Sequence, residues 1–104
     1  MINTPKIHNI LIPEREIAQF CQRNHIRRLS LFGSVLRDDF TPESDVDLLV
    51  EFEAGCVPGF LGLTHMQREL SELFNRRVDL RTPASLSDYF RAEVEASAVL
   101  IYAA

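Results

Sequence analysis

Tryptophan is absent from this chain, and cysteine and glycine are scarce, with two and four residues. Cys21 and Cys56 show no CxxC spacing and have no companions, which excludes a disulfide framework and a cysteine-built structural zinc site. A reduced, cytoplasmic setting is the plain expectation. No run approaches the roughly 20 apolar residues of a membrane span. The opening residues, with Asn3, Pro5, His8 and Glu14, lack a basic region followed by an apolar secretory core. Positive charge is also short: 11 Lys+Arg stand against 15 Asp+Glu, for a net charge of -4. That balance argues against stable nucleic-acid binding. Lysine is nearly missing, since ten of the eleven basic residues are arginine. Arginine suits bidentate contact with phosphate or carboxylate, so a local anion site stays open.

The 104 residues are 46% hydrophobic, enough for one modest core and no second lobe. Residues 1–104 therefore read as a single domain. The apolar fringe Ile2, Ile7, Ile10, Leu11 and Ile12 has no clean period and leaves strand, irregular arm or partner contact open. Pro13 with Glu14 and Glu16 resembles a helix start, carrying Ile17, Phe20 and Cys21 as its apolar stripe and ending near Asn24 and His25. A short strand follows from Arg27 to Phe32 and stops at Gly33-Ser34, with a helical turn expected at Val35 to Arg37. Between Asp45 and Phe52, the two-residue period of a strand puts Val46, Leu48, Val50 and Phe52 on one face and Asp45, Asp47, Leu49 and Glu51 on the other. After a loop at residues 53–59, Leu63, Met66, Leu70, Leu73 and Phe74 recur at helical spacing up to Asn75. Arg77 to Arg81 predicts a strand with Asp79 opposite Val78 and Leu80. Ser85 or Ser87 then caps a last helix using Leu86, Phe90, Val94, Ala98 and Ile101. The apolar run from Ala96 to Ala104 packs on its own sheet or contacts another chain. This order predicts an α+β, two-layer domain with a small mixed sheet and helices packed on one face.

Three aspartates, Asp45, Asp47 and Asp79, then occupy like-facing positions on two neighbouring strands. Carboxylates that converge this way suit a hard cation such as Mg²⁺, which takes oxygen ligands from one or two carboxylates and substrate phosphates. Solvated acids at a sheet edge would give the same pattern. Gly33-Ser34 offers backbone N–H groups and a hydroxyl to phosphate, and Arg37 lies one helical turn on, although an ordinary turn would read alike. Together, Gly33, Ser34, Asp45 and Asp47 at this spacing arise by chance on the order of once per thousand such chains. Arg76, Arg77 and Arg81 surround Asp79 and would pair with carboxylates or assist phosphate binding. His8, His25 and His65 read as surface or partly packed, with no acidic or cysteine neighbours of His8 and His25 at ligand spacing. Cys21 reads as a small core hydrophobe and Cys56 as a loop thiol.

Gly33-Ser34-Val35-Leu36-Arg37 followed by Ser44-Asp45-Val46-Asp47-Leu48-Leu49-Val50 resembles the signature of the DNA polymerase beta-like nucleotidyltransferases, in their minimal, antitoxin-type branch. The resemblance spans about Leu29 to Tyr102. It implies that Gly33 and Ser34, with Arg37, contact the nucleotide triphosphate, that Asp45, Asp47 and Asp79 hold one or two Mg²⁺ ions, and that Asp79 activates the attacking hydroxyl. It further implies ATP as substrate, a HEPN-type ribonuclease toxin as partner in a hetero-oligomer, and transfer of AMP to a toxin hydroxyl, that of a tyrosine. One departure is Asp38-Asp39, where many members carry a small residue after the arginine. Two acids beside a triphosphate disfavour its binding, which keeps an alternative in view: a non-catalytic module that neutralises the toxin by forming a complex.

Overall fold

The computed structural model describes residues 6–7, 10–37 and 40–104. Two short strands, β1 (Lys6–Ile7) and β2 (Ile10–Leu11), pair antiparallel in an arm. Ile10 and Ile12 of this region are buried in the core, while Leu11 faces solvent. The open fringe of the sequence is thus partly a core element. Ile2, His8 and the Asp38-Asp39 pair lie outside the described residues.

Helix α1 (Glu14–Arg23) starts directly after Pro13, with Glu14 and Glu16 in its first turn, where acids complement the helix dipole. Ile17, Phe20 and Cys21 form its buried stripe. Burial pushes the Cys21 thiol up to about 12, so it packs as an inert apolar group. Asn24 ends the helix, donating from Nδ2 to the Phe20 carbonyl at 2.8 Å. His25 then adopts a left-handed conformation, φ 56°, that turns the chain into β3 (Ile26–Phe32).

Beyond β3, a single 3₁₀ turn at Gly33–Leu36 leads towards β4 (Val46–Phe52), which runs antiparallel to β3. Helix α2 (Phe60–Phe74) crosses from β4 to β5 (Val78–Arg81), which lies parallel to β4. Asn75 closes α2 in the left-handed region, φ 53°, a conformation that Asn tolerates better than most residues. Helix α3 (Asp88–Ser97) follows, capped by the Ser87 hydroxyl, which accepts from the Phe90 N–H at 3.3 Å.

The sequence reading carries α3 on to Ile101, and the structure corrects it. Ala98 is extended, with ψ 143°, and Val99–Ala103 forms β6 on the open edge of β3. The unpaired backbone groups of β3, met by the β-branched Val99 and Ile101, outweigh a weak helical spacing. The C-terminal run therefore joins its own sheet, whose order is β5-β4-β3-β6.

One face of this mixed sheet carries the main core. Leu29 and Leu31 of β3, with Val46, Leu48 and Val50 of β4, meet Ile17 and Phe20 of α1 and Met66, Leu70 and Phe74 of α2. Each fully buried side chain of this size contributes about 1.5–3 kcal/mol relative to exposure. On the opposite face, Phe32 and Leu49 are covered by Leu86 and by Val94 of α3. That cover leaves part of the second face open around Asp47 and Asp79. Among the described residues no helix is long and apolar enough to cross a membrane.

Candidate functional site

The β4–β5 register sets Asp47 beside Asp79, with Val46 beside Val78 and Leu48 beside Leu80. Period-two alternation sends the apolar members into the core and both carboxylates to the opposite face. Two α2 side chains hold β5 in that place: Ser71 Oγ accepts the Val78 N–H at 3.1 Å, and Gln67 Oε1 accepts the Leu80 N–H at 2.9 Å. These bonds satisfy the edge of β5 that faces away from β4, which also protects it from strand addition.

On the other flank, Phe32 pairs with Asp47, so the end of β3 delivers Gly33 directly against the Asp47 carboxylate. Gly33 has φ +76°, and a Cβ built there would collide with Asp47 Oδ2 and lie 3.1 Å from its Cγ. Only glycine meets both demands. The next residue, Ser34, donates its backbone N–H to the Asp47 carboxylate and its hydroxyl to the Asp45 carbonyl at 3.3 Å.

These residues border a cleft of about 360 Å³, whose lining includes Gly33, Ser34, Arg37, Asp47, Asp79 and Arg81. Ser85, Leu86, Ser87 and Phe90 supply the facing wall. Arg91 fastens that wall, donating from Nε to the Pro83 carbonyl at 2.7 Å and from Nη2 to the Leu86 carbonyl at 3.2 Å. Burial raises the Asp47 carboxyl above its ordinary range, and the neighbouring charges of Asp79 and, more weakly, Asp45 add to the rise. The Ser34 N–H and Arg81 oppose it. A cation between Asp47 and Asp79 would relieve this repulsion, and an all-oxygen donor set fits Mg²⁺. The residues present therefore fit such an ion.

Five of the six residues read from the sequence, Gly33, Ser34, Arg37, Asp47 and Asp79, meet at this cleft. Asp45 stands just before β4 and outside the cleft lining, where its Oδ1 pairs with Arg77 Nε at 2.8 Å. Arg81 pairs with Asp79, its Nε lying 3.2 and 3.3 Å from the two carboxylate oxygens. Arg77, just before β5, and Arg81, at its end, thus both pair with carboxylates. Arg76 instead stacks on Phe40, 4.3 Å from the ring centroid, and donates to the Thr41 carbonyl at 2.6 Å. The α3 wall, including Ser87 and Phe90, was not read as part of the site, and only the Ser87 cap signalled where it begins.

His25 is exposed, in line with its reading as a surface residue. Folding brings Glu53 and Cys56 to it, and one ligand atom from each of the three lies within 4.8 Å of the others. Sequence spacing hides this cluster because its members come from different loops.

The nucleotidyltransferase domain family matches residues 14–101. A protein adenylyltransferase, MntA, of Thermococcus cleftensis is 33% identical over 83% of this chain and 83% of its own length. The fold is shared with a toxin-antitoxin crystal structure containing AMP-PNP, at 19% identity and a TM-score of 0.72, covering 89% of this chain and 75% of that one. It is also shared with a complex of a tri-AMPylated Shewanella oneidensis HEPN toxin and an MNT antitoxin, at 19% identity and a TM-score of 0.64, covering 88% and 70%. Its match across residues 14–101, and its 31% identity to a minimal nucleotidyltransferase structure over 83% of this chain and 86% of that one at a TM-score of 0.69, place this chain in the nucleotidyltransferase domain family, among the minimal nucleotidyltransferases.

Proposed function

We propose that this protein is a Mg²⁺-dependent protein adenylyltransferase that moves AMP from ATP to a tyrosine hydroxyl of a HEPN-type toxin, and so acts as an antitoxin. The observation that carries this reading is the Asp47–Asp79 pair facing a cleft whose rim is the Gly33-Ser34 turn. Support for the substrate and partner comes from the proteins it resembles: a protein adenylyltransferase at 33% identity, and, in fold, an MNT antitoxin in complex with a tri-AMPylated HEPN toxin.

Asp47 and Asp79 would hold the metal, with Asp45 joining them once Arg77 releases it. Bound there, Mg²⁺ would neutralise charge on the phosphates undergoing transfer. The backbone of Gly33 and the Ser34 hydroxyl orient the triphosphate, and Arg37 on the cleft wall offsets its charge. The acceptor oxygen attacks the α-phosphorus while the bond from that phosphorus to the bridging oxygen of the leaving pyrophosphate breaks. Asp79 receives the hydroxyl proton. Added AMP places negative charge and bulk on a surface built to hold RNA, which explains inhibition physically.

Engagement of Asp45 by Arg77 favours a second reading, in which the protein neutralises its partner by occupancy alone. Intact-mass spectrometry separates the two. The co-purified partner, incubated with this protein, ATP and Mg²⁺, is expected to gain about 329 Da per AMP. An Asp47→Asn, Asp79→Asn double variant is expected to give none. A stable complex without any mass gain would overturn the enzymatic reading and leave occupancy.

A further inference from the structure

We propose that His25, Glu53 and Cys56 form a binding site for a borderline divalent transition metal, zinc by preference, separate from the nucleotide cleft. His25 lies in the turn between α1 and β3, and Glu53 and Cys56 lie in the loop between β4 and α2. The backbone already ties these pieces together. The Glu53 N–H donates to the His25 carbonyl at 2.9 Å, and the Cys56 N–H donates to the Glu53 carbonyl at 3.0 Å. Gly55, with φ +78°, makes the tight return that brings Cys56 back over Glu53.

The ligand atoms of the three residues are within 4.8 Å of one another. Tetrahedral zinc, with Zn–N near 2.0 Å and Zn–S near 2.3 Å, sets its ligand atoms roughly 3.3–3.8 Å apart. Small rotations about the side-chain bonds close that gap. His25 and Glu53 are exposed and Cys56 is partly so, which leaves the site open to solvent and a fourth position for water. Arg27 and Arg28, the nearest cations on β3, both pair with Glu51. Among the described residues no cation pairs with Glu53, so its carboxylate is available.

The donor set decides the metal. Imidazole nitrogen, thiolate sulfur and one carboxylate oxygen suit zinc and disfavour Mg²⁺ or Ca²⁺, which take oxygen. Its place in the fold decides its role. His25 precedes the first residue of β3 and Glu53 follows the last of β4, whereas Gly33 and Asp47 sit at the other ends of these strands. Seven strand residues put roughly 20 Å between the two sites. A metal there clasps the α1–β3 turn to the β4–α2 loop and touches no reacting atom.

The test is titration of the untagged, reduced, chelator-stripped full chain with Co²⁺, a spectroscopic probe for zinc sites, followed by displacement with Zn²⁺. One equivalent is expected to give a thiolate-to-cobalt charge-transfer band that Zn²⁺ abolishes. Cys56→Ser removes the band, whereas Cys21→Ser and Asp47→Asn keep it. His25→Asn tolerates the left-handed backbone, and it and Glu53→Gln each weaken binding by at least about 10-fold, the least that losing even an outer-shell partner costs. Absence of a thiolate band in the wild-type chain, or its survival in Cys56→Ser, overturns the proposal.

Discussion

Gly33 lies against the carboxylate of Asp47 with no room for a side chain between them. The close approach also aims the Ser34 N–H at that carboxylate. Gly33→Ala would strain a backbone at φ +76° and displace Asp47. The expected loss of stability is about 1–3 kcal/mol, measured by urea unfolding. Nucleotidyl transfer should fall further than the folded fraction does, because the displaced group is the carboxylate itself.

Asp47 carries a second prediction, in pH. Its carboxyl is raised first by burial and then by Asp79. Folding therefore favours its protonated form, so its contribution to stability is fully present below the ordinary aspartate value and is lost as pH rises through the folded value. Asp47→Asn keeps a neutral group at every pH. The variant is expected to match the wild type in acid and to exceed it in melting temperature towards neutrality, while transfer drops at least 100-fold. Parallel thermal melts across that range in the presence of a chelator, set beside transfer rates measured with Mg²⁺, check both halves. A wild type that gains on the variant as pH rises would contradict the sign.

The face on which Asp47 lies was legible because an apolar residue recurs at every second position from Val46 to Phe52, a pattern that depends only on neighbouring residues and survives Leu49 on the other face. Asp79 was legible for the same reason, with Val78 and Leu80 on either side. Gly33-Ser34 showed as a break after an apolar strand. What escaped depends on contacts distant in the chain. Arg77 was expected to pair with a carboxylate, but that its partner is Asp45 depends on how β5 docks against the start of β4. The His25 cluster needs a β4–α2 loop that folds back on the α1–β3 turn. Strand β6 was hidden by the fit of Val94, Ala98 and Ile101 to a helical period, although Val99 to Tyr102 is rich in residues that favour strands. The site was thus readable where it is built from strand faces and obscure where loops close it.

Arg77 and Asp45 make a solvent-exposed pair, and such pairs contribute about 0–1 kcal/mol. Arg77→Gln should therefore leave stability almost unchanged. Its effect belongs to the metal. Removing a cation that competes for Asp45 is worth about 1 kcal/mol at surface screening, or roughly fivefold in affinity. The concentration of Mg²⁺ giving half-maximal transfer is expected to fall by about that factor in Arg77→Gln. An unchanged or higher requirement would mean that Asp45 takes no part in holding the ion.

Metal binding should itself be visible as stability. Asp47 and Asp79 sit in register with like charges side by side, and a bound cation converts that repulsion into attraction. A ligand that binds only the folded chain adds RT ln(1 + [L]/Kd), about 2.7 kcal/mol at a hundredfold excess over Kd. For a domain of this size the melting temperature would rise by roughly 10 °C or more. The Asp47→Asn, Asp79→Asn variant is expected to show no rise with Mg²⁺, and chelation should return the wild type to its metal-free value. The zinc cluster at the far end of the strands is a control within the same molecule. Cys56→Ser should leave the Mg²⁺ response intact, and a response that disappeared in that variant would place the stabilising ion at the wrong end of the sheet.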